Sequence, residues 1–152
     1  MIDIERPGPQ NGRLAHRKET LVSPPSDKQF IGSAPYFLVR NLEESLDYYH
    51  NALGFDKPKL WGDPPEFATP SRDGFIFMLK QVDEGGTVNP NGGEQWDAYV
   101  WINDVDTLFA HCKANGGIIE YEPCIQKEYD MKEFAVRDLD GYMIALGQHY
   151  EG

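Results

Sequence analysis

Asp97, Tyr99 and Trp101 alternate along WDAYVWI (96–102). On an extended strand, residues two apart share a face. One face of this stretch therefore carries a carboxylate beside two large aromatic rings. The other carries Ala98, Val100 and Ile102, an aliphatic set suited to packing under a helix. A carboxylate can pair with an amine or a guanidinium. Aromatic faces take flat rings and cations, each contact worth ~0.5–2 kcal/mol. The mixture suits a groove that holds a small organic molecule. A stripe of this kind also serves as protein core or as a subunit interface, and an unpaired carboxylate within it needs a partner such as Lys80 or a backbone amide.

Groups that make or break bonds are harder to find. No Ser-His-Asp or Cys-His nucleophile arrangement is legible. His50 and His111 fall on helical stretches, His16 lies in the N-terminal segment and His149 at the chain end. All four read as solvent-exposed. Cys112 belongs to an apolar helix stripe and reads as a small hydrophobe. Neither it nor Cys124 has a partner at metal-ligand spacing, so two free thiols in a reducing cytoplasm are expected. The glycine pairs at 85–86, 92–93 and 116–117 do not form a phosphate loop.

Composition narrows the classes further. The 152 residues suit a single domain with a real core. A net charge of −11, with no Lys/Arg cluster, argues against nucleic acid as a partner. The acidity is compatible with a cationic ligand or simply with solubility. No apolar run approaches the ~20 residues of a membrane helix. MIDIERPGPQ lacks the pattern of a signal peptide.

The elements that position these residues repeat. Residues 1–28, with Pro7, Pro9, Pro24 and Pro25, read as a disordered tail, and 29–152 as one domain. Residues 33–40 read as a strand. NLEESLDYYHNALGF then reads as a helix capped by Asn41, with Glu44 completing a capping-box-like pair. Its apolar stripe is Leu42, Leu46, Tyr49 and Leu53. Three extended runs follow, KPKLW, EFATP and GFIFMLKQV, and then a Gly/Asn/Pro-rich linker (82–94). Strand 96–102 starts the second copy. Its helix is capped near Asn103 or Asp104, and three more strands end in YMIALGQ after the turn Asp138-Leu139-Asp140-Gly141. Strand, helix and three strands thus occur twice, in modules of about 33–82 and 95–149, with a period of about 63 residues. A 62-residue offset gives more identities, but 63 also aligns the faces. The 62-residue offset would turn Trp96, instead of Asp97, into the groove.

FLVRNLEESLDYYHNALGF, WDAYVWINDVDTL and EFAVRDLDGYMIALGQ, in this order, resemble the glyoxalase/bleomycin resistance protein/dioxygenase (vicinal oxygen chelate) superfamily across roughly residues 33–148. The closest flavour is the bleomycin-resistance-like branch. The resemblance implies an α+β fold of two tandem βαβββ modules, whose curved mixed sheets enclose a groove. In metal-dependent members each of four strands supplies one ligand, usually His, Gln or Glu. Those positions fall here on Ala34, Met78, Asp97 and Ala145, and three of the four are unsuited to a catalytic divalent metal. No metal and no other cofactor is therefore expected. The implied groove would be lined by Tyr36, Leu38, Ile76, Met78, Asp97, Tyr99, Trp101 and Met143, with Lys80 at its rim. Trp61 and Phe67 would close one side, and Glu133 would add negative charge near the last hairpin. The function this favours is metal-independent sequestration of a small aromatic or cationic organic ligand by a cytoplasmic homodimer, as bleomycin-resistance proteins hold their ligand between two subunits. The alternatives are a metal-dependent lyase, isomerase or dioxygenase with a site not recognised in the sequence, and an interaction module whose groove its own side chains fill.

Overall fold

Two ten-residue helices, Leu42–Asn51 (α1) and Val105–Ala114 (α2), mark the duplication, and their N-caps, Asn41 and Asp104, stand 63 residues apart. Each cap side chain accepts a hydrogen bond from the amide three residues on, Glu44 N and Thr107 N, both at 3.0 Å. This satisfies one of the amides that a helix start leaves free. The computed structural model describes residues 22–23 and 26–152, so most of the segment expected to be a tail, His16 included, lies outside the described residues.

Within the unit Gly32–Gly152 the first module runs β1 (Tyr36–Val39), α1, β2 (Lys59–Gly62), β3 (Pro65–Thr69), β4 (Ser71–Arg72), β5 (Phe75–Ile76) and β6 (Met78–Gln81). The second runs β7 (Trp96–Trp101), α2, β8 (Ile118–Gln126), β9 (Met131–Arg137) and β10 (Met143–His149). Their sheets share one topology, β1-β6-β3-β2 and β7-β10-β9-β8, in which the first and last strands of a module pair parallel and the others antiparallel. The fold is α+β with two curved mixed sheets.

GFIFMLKQV does not form one strand. Asp73 and Gly74 take positive φ (50° and 82°), the turn that closes a tight hairpin, and β4 and β5 make a separate ribbon. Phe77 then leaves the strand direction. Its amide donates to Pro70 O (2.9 Å), and its ring packs against Phe37, Tyr49 and Phe55. Burying that ring outweighs one ladder position.

A single core joins both modules. Phe37, Val39, Leu79 and Ala68 from the first sheet meet Val105, Phe134, Val136 and Ile144 from the second, with Ala98, Val100 and Ile102 packed against them. The last hairpin fastens the modules together. Asp138 accepts from Tyr49 Oη (2.9 Å) and from the amides of Asp140 and Tyr142 (2.9 and 3.0 Å). Asp140 Oδ1 accepts from Arg40 N (3.1 Å), and Tyr142 Oη accepts from Leu38 N (3.2 Å). With their inner faces in this core, both sheets turn their other faces outward. No helix among the described residues is long and apolar enough to cross a membrane.

Candidate ligand-binding site

The outward face of the second sheet is built around small residues. Tyr99 pairs with Ala145, which pairs with Ala135, and Trp101 pairs with Gly147, which pairs with Glu133. Ala145, Ala135 and Gly147 leave the middle of the sheet low. Tyr99 lies down over it, packing with Tyr121 against Ala135, Met143 and Ala145. That places the Tyr99 hydroxyl 2.9 Å from Glu133 Oε2.

Glu133 is fully buried, at 0% exposure, and no ion pair among the described residues includes it. Three phenols supply its partners. Tyr99 donates to Oε2, while Tyr121 and Tyr129 donate to Oε1 at 3.1 and 2.9 Å. A group that accepts three hydrogen bonds and donates none uses the carboxylate's full character as an acceptor. Burial, then the bond to Glu133, raises the Tyr99 phenol well above its ordinary range. Burial and the charge of Glu133 do the same for Tyr121. Burial and the bond to Glu133 push Tyr129 up to about 12. All three hydroxyls therefore keep their protons and remain donors.

Above this clasp is a hollow of about 420 Å³ lined by Trp96, Tyr99, Trp101, Tyr129 and Met131. Tyr99 stands between two indoles, 5.1 Å from Trp96 and 5.3 Å from Trp101 between ring centroids. Trp96 reaches the hollow through a bulge. Met143 pairs with Trp96 but Ile144 with Ala98, so Asp97 is the extra residue. Its Oδ2 accepts from Met143 N (2.8 Å) and its Oδ1 from Asn91 Nδ2 (3.4 Å). Trp96 Nε1 donates to Tyr121 Oη (3.2 Å). The helix and face offsets thus follow 63 residues, while the bulge brings Trp96 to the side of the hollow and uses Asp97 to pin the strand end.

The remaining expected residues lie on the first sheet. Tyr36 pairs with Met78 and Trp61 with Phe67, and the Phe67 ring stacks with Tyr36 at 6.4 Å and Trp61 at 5.3 Å. Lys80, on the same face, pairs with Glu66 at 2.8 Å. Ile76 belongs to the separate ribbon. Among the described residues no hydrogen bond or aromatic pair joins this set to Tyr99, Trp101 and Glu133. The structure therefore presents two aromatic faces, and the buried carboxylate belongs to the second alone. Sequence reasoning missed Tyr121, Tyr129 and Met131 as neighbours of Glu133. Ile119 and Tyr121, two apart, would share a face on a regular strand, but the β8–β9 register shifts between them, so Ile119 packs against the core and Tyr121 against the outer face, while Tyr129 sits in the β8–β9 turn; periodicity announces neither.

The donor set does not fit a divalent metal. Ala34 and Ala145 have no donor atoms in their side chains, and both Asp97 oxygens are engaged. Those of Glu133 already hold three hydroxyls. No group of three His, Cys, Asp or Glu side chains with metal-binding geometry occurs among the described residues.

Solved structures of similar fold include TioX from Micromonospora sp. ML1, 22% identical, with a TM-score of 0.63 over 79% of this chain and 99% of that one. A glyoxalase/bleomycin resistance protein/dioxygenase from Nocardioides is 17% identical, with a TM-score of 0.62 over 88% and 89%. Virulence protein STM3117 from Salmonella typhimurium is 16% identical, with a TM-score of 0.59 over 81% and 98%. At these identities the likeness is one of fold. A search of curated proteins found no match. The family model of the Glyoxalase/Bleomycin resistance protein/Dioxygenase superfamily matches residues 34–146, and with that span of the sequence, the duplicated module and the shared sheet topology in agreement, the chain belongs to this superfamily.

Proposed function

We propose that this chain is a metal-independent binding protein that sequesters a small aromatic or cationic organic molecule in the hollow of its second module. The observation that carries the reading is Glu133: a fully buried carboxylate without a cationic partner among the described residues, beneath a hollow walled by four aromatic rings. An uncompensated buried charge is costly. The three phenols offset part of that cost. A ligand cation against the ring faces would offset more, and the rings would attract it in their own right. The hollow's 420 Å³ is the size of a small-molecule site.

The working form is a cytoplasmic homodimer. Both cysteines are free thiols, which fits a reducing compartment. Each module leaves exposed aromatics on its outer sheet face, Tyr36 and Trp61 on one and Trp96 and Trp101 on the other, and two copies related by a two-fold axis can cover both.

Thermal unfolding against a panel of aromatic cations, neutral aromatics and divalent metals tests the reading. A ligand at ~100 times its dissociation constant adds ~2.7 kcal/mol. Stabilisation by aromatic compounds, with none from Zn, Ni, Mn or Fe, is the expected pattern. Stabilisation by a metal alone would return the protein to the metal-dependent enzymes.

A further inference from the structure

The walls of the hollow have spent their hydroxyl protons. The Tyr99 and Tyr129 hydroxyls both donate into Glu133, and Trp96 Nε1 donates to Tyr121 Oη. Both acceptor positions of Oε1 are taken, by Tyr121 and Tyr129, and Oε2 lies under Tyr99. Met131 offers only a thioether, a weak acceptor, and Trp101 only a donor. A molecule entering this space meets mainly ring faces and the field of a buried negative charge, and the side-chain acceptors left for an N–H are the oxygens of the Tyr99 and Tyr129 phenols, which are neutral.

That combination discriminates among cations. A primary ammonium carries three N–H donors that are well hydrated in water. Against the ring faces they would give up part of that water, with two phenol oxygens to replace it for three N–H groups, and a donor left short of a partner is costly. A quaternary ammonium has no N–H to strand, and its methyl groups carry the charge directly against the rings. The overall charge of −11 also raises the local concentration of any cation.

We infer that the hollow between Trp96, Tyr99, Trp101 and Tyr129 selects an N-methylated, quaternary ammonium group of a free small molecule over primary amines and over neutral ligands of the same shape. This rests on the binding reading above and narrows it to one ligand class.

Three probes that share a benzyl ring separate the possibilities: benzyltrimethylammonium, its primary amine counterpart benzylamine and its neutral isostere neopentylbenzene, each titrated into the full chain at pH 7. Benzyltrimethylammonium should bind about tenfold or more tightly than either of the others, the effect of one to two cation–π contacts together with the buried charge. Glu133→Gln should cut its advantage over neopentylbenzene to the part that the ring faces alone supply. Because a change at a buried site can disturb folding, Trp101→Ala provides the second variant. Trp101 is 76% exposed, so its removal leaves the fold intact and should weaken the quaternary cation by about threefold to thirtyfold. Equal or tighter binding of benzylamine overturns the inference while leaving the cation site standing. Equal binding of neopentylbenzene removes the role of charge and overturns the inference too. No binding by any probe overturns both the inference and the function proposed above.

Discussion

Gly147 lies directly beneath the hydroxyl of Tyr99: a Cβ at this position would collide with Oη and crowd the ring carbon that bears it. The absence of a side chain on β10 is what lets a residue of β7 reach a carboxylate on β9. Gly147→Ala should therefore push Tyr99 off Glu133 and destabilise the protein by about 1–3 kcal/mol, the cost of leaving a buried acceptor short of a partner. Denaturant unfolding measures it. Adding Tyr99→Phe removes the colliding hydroxyl, so the double variant should lose less than the sum of the two single losses, a coupling that contacting residues show. Strict additivity would mean that Gly147 does not seat Tyr99.

The two helix caps give a second prediction. Asn41 and Asp104 occupy the same point of the repeat and make the same 3.0 Å bond. Asn41→Ala and Asp104→Ala should each lower stability, read as a drop in the denaturant midpoint with unchanged slope. In Asp104 the bonds from the Thr107 hydroxyl and then its amide hold the carboxyl below its ordinary value. Its contribution is therefore present above the ordinary range and is lost as pH falls through the lowered value, whereas that of Asn41 is independent of pH.

Asp138 behaves in the opposite sense. Burial raises its carboxyl to about 6, although Tyr49 and the amides of Tyr142 and Asp140 pull the other way. A raised carboxyl binds its proton more tightly folded than unfolded, so charging it is a penalty at neutral pH that is relieved as pH falls from about 6 toward 4. Compared with Asp138→Asn, the wild-type chain should gain relative stability across that window. A difference curve that falls there instead would contradict the assignment.

Much of the fold was readable because it rests on periodicity. The alternation of Ala98, Val100 and Ile102 with Tyr99 and Trp101, and the stripes of both helices, follow from which residues must be buried. Asp97 and Trp96 were not readable. Their exchange depends on the bulge against Met143 and Ile144, a property of the pairing and not of either strand. Glu133 was legible only as a charge. Its significance comes from Tyr99, Tyr121 and Tyr129 converging on it from β7, β8 and a turn, and no local pattern in the chain announces that convergence. Phe77 shows the same limit: a long-range cluster of rings broke a strand that local propensity favoured.

In the proposed function an organic cation sits over Glu133 in the second module. The most direct measurement follows the three tryptophan indole N–H resonances by NMR while benzyltrimethylammonium is added. Saturable shifts at Trp96 and Trp101 are expected, both requiring about tenfold or more ligand in Glu133→Gln. Saturable binding that moves Trp61 and leaves Trp96 and Trp101 unchanged would contradict it.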